Sequence, residues 1–212
     1  MRSGALIAAL ALLMVVVAAS LAAFDPRAFS GHMSVHMALV VVIAPLFACG
    51  ISGTRLDPTI SWGPGAAILL SFVEFVVVWI WHVPVMRDLA ELSVSMRLLE
   101  HATFLAAGAL LWLACLGAGA QVERRLAGAV ALLMTSMHMT LLGVLLTMSP
   151  RPLFGGGDVS CLGVTMTASQ DQQVGGIIML LVGAVVYLAG GVALVARFLG
   201  APPMQPRKGI EL

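Results

Sequence analysis

Hydrophobic residues form six long runs along the chain, separated by short polar segments. A run of about 20 apolar residues is long enough to cross a bilayer as a helix. The six runs cover residues 4–23, 31–50, 65–82, 95–116, 126–148 and 174–199. The segments between them are rich in Gly, Pro and charged residues, which is typical of connections. The pattern predicts an all-α fold, a polytopic membrane helical bundle of about six transmembrane helices.

The composition supports this prediction. Only 10% of the residues are charged and 60% are hydrophobic, whereas soluble domains carry about 25% charged residues. A chain with so few charges could not cover its surface in water, so we expect the lipid bilayer to be its main partner. The net charge of +1 indicates no nucleic-acid partner.

The first run has a second interpretation as a signal peptide, because Arg2 precedes it and the small residues Ala22 and Ala23 end it. Its apolar stretch is longer than the 7–15 residues, roughly, of a signal peptide core, which favours a retained helix. We therefore divide the chain into a first transmembrane helix at 1–23, a helical bundle at 24–199 and a tail at 200–212.

The distribution of Lys and Arg predicts the orientation, because these residues favour the cytoplasmic side of a membrane. With six spans, both termini share a side with the second and fourth loops. That side holds Arg2, Arg55, Arg124, Arg125, Arg197, Arg207 and Lys208. The other side holds Arg27, Arg87, Arg97 and Arg151. We therefore expect cytoplasmic termini, with the first, third and fifth loops outside.

Histidine is the most informative residue type, because all five histidines lie in or at the end of an apolar run: His32, His36, His82, His101 and His138. Polar groups are costly in lipid and usually face the bundle interior. Each could be a helix-to-helix hydrogen bond, but five together favour a shared site in the outer half of the membrane. His32 and His36 share a helix face. We expect His36, His101 and His138 to converge, with His32 and His82 nearer the outer mouth.

Methionines accompany these histidines. Met33 and Met37 each follow a histidine directly, and Met134 lies one turn before His138. Thioether and imidazole form a soft ligand set that suits Cu(I), although Met is also a flexible filler of hydrophobic cores. Two alternatives stay open. Histidines on facing helices could hold a b-type haem, or the same ligands could serve a copper transport or tolerance protein.

Three acids lie within or beside the runs. Glu74 is in the middle of the third run, where it could orient a ligand histidine or carry a proton. Asp171 begins the last run, where an acid is favourable at a helix N-terminus; we group it with Glu74 as a residue that could support the ligands. Glu100 lies one turn from Arg97, which predicts an ion pair. The sequence contains no catalytic motif, and we expect that the protein is not an enzyme.

Four segments carry a resemblance to a known family. They are His32-Met33-Ser34-Val35-His36-Met37 followed by Ala44-Pro45-Leu46 and Gly50, Trp81-His82-Val83-Pro84 followed by Asp88-Leu89-Ala90, the span from His101 to Trp112, and Asp171-Gln172-Gln173-Val174-Gly175-Gly176. In this order they resemble the CtaG family of membrane-embedded cytochrome c oxidase assembly proteins. The similarity covers about residues 30–199. Pro45 stands alone where members often have two prolines, and the fifth loop has an unusual Cys161 and triple glycine.

The resemblance implies a function that the residue pattern also favours. Members of the family are implicated in the maturation of haem–copper oxidases, through the handling of copper. It implies a protein of the bacterial plasma (inner) membrane with cytochrome c oxidase subunits as partners. A set of His and Met ligands that opens outward would receive Cu(I) outside and pass it to an acceptor in the membrane, which requires exchangeable sites.

Overall fold

The computed structural model describes residues 2–22, 25, 27–117, 121–154, 156–161 and 164–199. The tail at 200–212 and the last residue of the predicted first segment lie outside these residues. The helices are α1 (Arg2–Ala22), α2 (Phe29–Met37), α3 (Ala44–Ile51), α4 (Ala66–Trp81), α5 (Pro84–Leu92), α6 (Val94–Leu116), α7 (Val122–Thr147), α8 (Ala168–Ile178) and α9 (Ala184–Leu199).

The prediction of a polytopic helical bundle is confirmed. Five straight helical segments in the described chain are long and apolar enough to cross a membrane: Arg2–Ala22, Phe29–Ile51, Val94–Leu116, Val122–Thr147 and Ala168–Arg197. The predicted third span is α4, which ends at Trp81, and a bend of 71° separates it from α5. Counting this bent pair as one span gives six. The bend follows from Pro84, which begins α5 and has no backbone N–H to continue α4.

Two of the spans change helix type in the middle. α2 continues into α3 through a π-helical stretch, Ala38–Ile43, and α8 continues into α9 through a second one, Met179–Gly183. π-helical turns are rare and often lie at functional sites. A neighbouring helix holds the first stretch in place, because the indole Nε1 of Trp112 on α6 donates to the Val40 carbonyl oxygen at 3.1 Å. It begins two residues after His36, so it sets the rotation of the histidine face of α2.

Helix α7 packs against α4, α6, α8 and α9, and α6 packs against α3, α4 and α5. The tightest crossing joins α7 to α8, where a Cβ placed on Gly143 would lie 3.0 Å from the Gly176 carbonyl oxygen. Small residues permit such close approach where no hydrophobic effect drives helices together. Large parts of α1 and α9 are exposed, which suits contact with lipid.

The first, third and fifth loops lie at one end of the bundle, which we call the histidine end because α2 begins and α4 ends there. The fifth loop contains an antiparallel hairpin, β1 (Asp158–Cys161) with β2 (Val164–Thr167), that the sequence analysis did not predict. Phe154 of this loop is buried and stacks on Phe29 of α2, with ring centroids 4.4 Å apart. The loop therefore covers the first turn of α2.

Candidate metal centre

Three of the five predicted histidines form one compact group. His32 and His36 from α2 and His82 from the end of α4 each offer a ring nitrogen, and these nitrogens lie within 4.8 Å of one another. All three side chains are buried. The structure groups the rings differently from our expectation, because His101 and His138 are not members of this group. We call His32, His36 and His82 the histidine triad.

The hydrogen bonds of the triad leave nitrogens available. His82 Nδ1 lies 2.6 Å from the Val78 carbonyl oxygen, which can only accept, so Nδ1 carries the proton and Nε2 keeps its lone pair. His82 Nε2 and both nitrogens of His36 have no hydrogen-bond partner among the described residues. Buried polar atoms are almost always bonded. These unsatisfied nitrogens therefore fit a bound cation that accepts lone pairs.

His32 has a different environment, because a buried ion pair lies beside its Nδ1. The Arg87 Nη1 atom is 2.9 Å from Nδ1, and the Glu100 Oε2 atom is 3.6 Å from it. Arg87 Nη1 is also 3.5 Å from Glu100 Oε2. Glu100 therefore pairs directly with Arg87 of α5, and the described residues show no direct ion pair between Glu100 and Arg97, its predicted partner. Arg97 instead donates to the Ser20 carbonyl oxygen at 3.2 Å.

Phenylalanine rings enclose the triad. Phe104 of α6 stacks on His36 with ring centroids 3.9 Å apart and an interplanar angle of 3°. Phe29 lies edge-on to His82 with centroids 6.3 Å apart, and Phe154 covers Phe29 from the fifth loop. These rings keep water and competing hydrogen-bond partners away from the imidazoles.

His101 lies outside the triad but near it. It shares with His32 the wall of a small polar cavity of about 20 Å³, enough for about one water molecule. The residues that line this cavity are Ser20, Asp25, Ala28, Gly31, His32, Val35, Arg87, Arg97 and His101. Since the cavity lies at the histidine end, His101 occupies the polar approach to the triad.

His138 and Met134 lie together on the side of the bundle. They line an apolar groove of about 500 Å³ between α4 and α7, with Ser71, Phe72, Phe75, Met137 and Leu141. Met134 is 43% exposed, so part of it lies open on the outside of the bundle. The ring of Phe75 meets His138 edge-on. His138 therefore borders the groove on α7, the helix that packs against α4.

Met33 and Met37 are buried on another face of α2. A Cβ placed on Gly175 would lie 3.0 Å from Met33 Cγ, and a Cβ on Gly183 would lie 3.4 Å from the Met37 sulfur. Both methionines therefore pack against the α8–α9 span, because residues 33 and 37 are each turned about 100° from the preceding histidine. Met139 and Met179, which the sequence analysis did not single out, are fully buried.

Glu74 is fully buried, and its hydrogen bond comes from Tyr187 of α9, whose hydroxyl donates to Oε1 at 2.5 Å. Tyr187 in turn stacks on Trp112. No hydrogen bond in the described structure joins Glu74 to a histidine. The carboxyl group therefore links α4 to α9 below the triad, and any support that it gives to the ligands passes through the position of α4.

Asp171 connects α8 to the helix that carries His32 and His36. Its carboxylate accepts from the backbone N–H of Phe29 at 2.5 Å and of Ser30 at 3.1 Å, and also from the Ser30 hydroxyl. It therefore caps the N-terminus of α2 from another helix. The neighbouring Gln172 accepts from the Leu153 N–H and donates to the Leu146 carbonyl oxygen, which fixes the fifth loop.

Replacing Asp171 with alanine should destabilise the protein by about 1–3 kcal/mol, the cost of leaving buried donors unsatisfied. The measurement is the unfolding free energy in detergent, with Asp158→Ala as the control because Asp158 is exposed. Equal stability of the two variants would contradict the capping role.

The amino-acid sequence matches the model of one protein family. The family model described as cytochrome c oxidase caa3 assembly factor (Caa3_CtaG) matches residues 1–201, nearly the whole chain of 212 residues. The chain belongs to this family. Neither the curated proteins nor the solved structures include one with significant similarity to it. The resemblance found in the sequence is therefore confirmed, and the Caa3_CtaG chain is an oxidase assembly factor by family.

Three residues that surround the triad of this Caa3_CtaG protein were not predicted from the sequence. Arg87 lies three residues after Pro84 on α5, but the bend that turns it toward His32 has no simple periodic signal. Phe104 lies one turn after Glu100 on α6, so the buried face of that helix could have revealed it. Phe154 belongs to the fifth loop, where no pattern of apolar spacing was available.

Proposed function

We propose that this Caa3_CtaG protein is a membrane-embedded assembly factor for a haem–copper cytochrome c oxidase that binds Cu(I) and delivers it to the enzyme. The observation that carries the proposal is the histidine triad with its unbonded, buried ring nitrogens. The family supports the assembly role, and the chemistry of the side chains supports copper as the cargo.

The triad suits Cu(I) in spacing and in charge. Metal–nitrogen bonds are about 2 Å long, so two ligand nitrogens on one ion lie at most about 4 Å apart. The triad nitrogens lie within 4.8 Å of one another, and small side-chain rotations would close the difference. Imidazole binds copper well. The phenylalanine rings exclude water, which would otherwise compete with the imidazoles as a ligand of Cu(I).

The remaining candidate ligands form a path on either side of the triad. His101 at the small polar cavity would receive the ion, and His138 with Met134 would accept it on the side of the groove between α4 and α7. Met33 and Met37, which lie on the α8 side of the same helix, would act as softer auxiliary ligands. This arrangement permits stepwise exchange, which delivery requires.

We place the protein in a bacterial plasma membrane as a multi-pass protein with cytoplasmic termini. The charge distribution supports this orientation. The histidine end then faces outward, and the triad lies in the outer half of the membrane. The partners are the oxidase subunits under assembly, and the protein's role is non-catalytic.

A b-type haem is less compatible with this geometry. The imidazole of His36 is stacked on Phe104, and the triad rings pack with centroids 5.5–6.3 Å apart. Axial ligation would need a flat porphyrin between two of these rings. A copper transport or tolerance role uses the same ligands, and only the phenotype separates it from assembly.

Purified protein should bind Cu(I) and should show no Soret band. The measurement is anaerobic titration of the protein with Cu(I) against a chromophoric Cu(I) chelator, together with metal analysis and an absorption spectrum. A strain without the protein should synthesise oxidase subunits but lack oxidase activity. Full activity with a normal copper content in that strain would rule out the assembly role, and a haem spectrum without Cu(I) binding would favour the cytochrome.

A further inference from the structure

We infer that His32 is a switchable ligand of the triad, whose ring proton is placed by Arg87 and Glu100. In the metal-free protein Arg87 holds His32 in the tautomer that cannot bind a metal through Nε2. Glu100 supports the other tautomer, in which Nε2 is a ligand. The inference rests on the proposed Cu(I) function, but part of its test requires no copper.

The first step is the contact between Arg87 and His32. The two nitrogens are 2.9 Å apart, which is hydrogen-bond distance. A guanidinium group has no acceptor atom, so His32 Nδ1 must be the acceptor. A neutral imidazole carries one proton, and this proton is then on Nε2. His32 Nε2 therefore lacks the lone pair that a metal needs.

His82 provides the contrast within the same triad. Its Nδ1 donates to the Val78 carbonyl oxygen, so its Nε2 already has a free lone pair. His36 has no hydrogen bond on either nitrogen among the described residues and can adopt either tautomer. In the triad, His82 therefore has a lone pair available on Nε2, His36 can provide one on either nitrogen, and the Nε2 of His32 has none.

The second step is the role of Glu100. Its Oε2 is 3.6 Å from His32 Nδ1, slightly beyond a hydrogen bond, and its Oε1 has no hydrogen-bond partner in the described part of the chain. A carboxylate can only accept, so it can bond to His32 only when Nδ1 carries the proton. Arg87 and Glu100 therefore favour opposite tautomers of one ring, and they do so from the same side.

The switch conserves protons. The proton leaves Nε2 and one is bound at Nδ1, so the ring stays neutral while Nε2 gives its lone pair to Cu(I). Glu100 accepts the Nδ1–H through one oxygen and the Arg87 guanidinium through the other. Arg87 also retains its ion pair with Glu91, in which Arg87 Nε lies 3.4 Å from Glu91 Oε1. A carboxylate bonded to the far nitrogen of a ligand histidine raises the basicity of the ligand, so Glu100 stabilises the loaded state.

Two matched substitutions should change Cu(I) affinity in opposite directions. Glu100→Gln replaces a carboxylate with a weaker, neutral acceptor and should weaken binding about 10-fold or more, as for other outer partners of ligand histidines. Arg87→Gln removes the obligatory donor and should tighten binding. Arg124→Gln is the control, because Arg124 begins α7 at the other end of the bundle and donates to the Thr59 carbonyl oxygen at 2.6 Å; it should leave the affinity unchanged. If Glu100→Gln and Arg87→Gln both weaken binding, the two residues only support the fold and the switch is excluded.

Nitrogen-15 solid-state NMR of histidine-labelled protein in lipid bilayers tests the same inference without copper. The His32 signals, assigned by their loss in His32→Ala, should show Nε2–H in the metal-free protein and a shift of the proton toward Nδ1 in Arg87→Gln. Arg124→Gln should leave these signals unchanged. An Nδ1–H tautomer of His32 in the metal-free wild type would overturn the inference. If the tautomers are as expected but the wild type binds no Cu(I), the proposed function fails while the assignment of the proton stands.

Discussion

Replacing His36 with alanine should abolish high-affinity Cu(I) binding and oxidase maturation. His36 is the member of the triad with no hydrogen bond to any described residue, so its ring is held only by stacking on Phe104 and by its neighbours. We expect the Cu(I) affinity to fall more than about 100-fold, beyond the 10–100-fold typical of outer hydrogen-bond partners. The measurements are the chelator competition described above and oxidase activity in a deletion strain that carries the variant.

Met14→Ala is the control for this substitution. Met14 lies on α1 with 73% of its surface exposed. Its replacement therefore tests whether the loss of any thioether side chain lowers the Cu(I) affinity. His101→Ala and His138→Ala should have intermediate effects, because both rings lie outside the triad. If all five histidines tolerate alanine one at a time, the imidazoles are packing residues and the copper mechanism is wrong.

Gly176→Leu should have the largest effect on folding. A Cβ on Gly176 would lie 2.8 Å from the backbone nitrogen of Thr147 and 3.0 Å from the Gly143 carbonyl oxygen. Backbone atoms cannot rotate away, so α7 and α8 would have to separate, and overpacking of this kind costs about 1–3 kcal/mol or more. We expect most of the protein to be lost from the folded fraction after detergent extraction, with a lower thermal midpoint for the remainder.

Gly4→Leu makes the matched comparison in α1, because nothing lies within 4 Å of a Cβ at Gly4. This variant should extract and unfold like the wild type. Similar losses for both variants would indicate a general intolerance of leucine, and the close crossing of α7 and α8 would then carry no special cost.

The fold was predictable because lipid leaves few choices. Each backbone polar group must be satisfied within the membrane, so long apolar runs become helices. The family segments and the five histidines were also visible in the sequence. The fifth loop was not, because its hairpin and Phe154 are held by contacts with α2 and α8 rather than by periodicity.

The grouping of the histidines could not be predicted, because depth along a helix does not give direction around it. Glu100 and His101 are neighbours on α6, so they point about 100° apart. Glu100 faces His32, whereas His101 borders the small polar cavity that His32 also lines. The bend between α4 and α5 had a second effect, since it brings Arg87 back over the triad. Both features depend on the rotation of helices about their own axes.

The π-helical stretch Ala38–Ile43 has a consequence for the direction in which the histidines of α2 point. Each residue of an α-helix advances the rotation by about 100°. A π-helical turn holds one residue more than an α-helical turn, so a return to α-helical hydrogen bonding with every residue kept would turn α2 by about that angle relative to α3. The face with His32 and His36 would then point away from His82, although no imidazole had been replaced. The π-helical hydrogen bonding between His36 and Ala44 is therefore as strict a requirement of the site as the identity of its ligands.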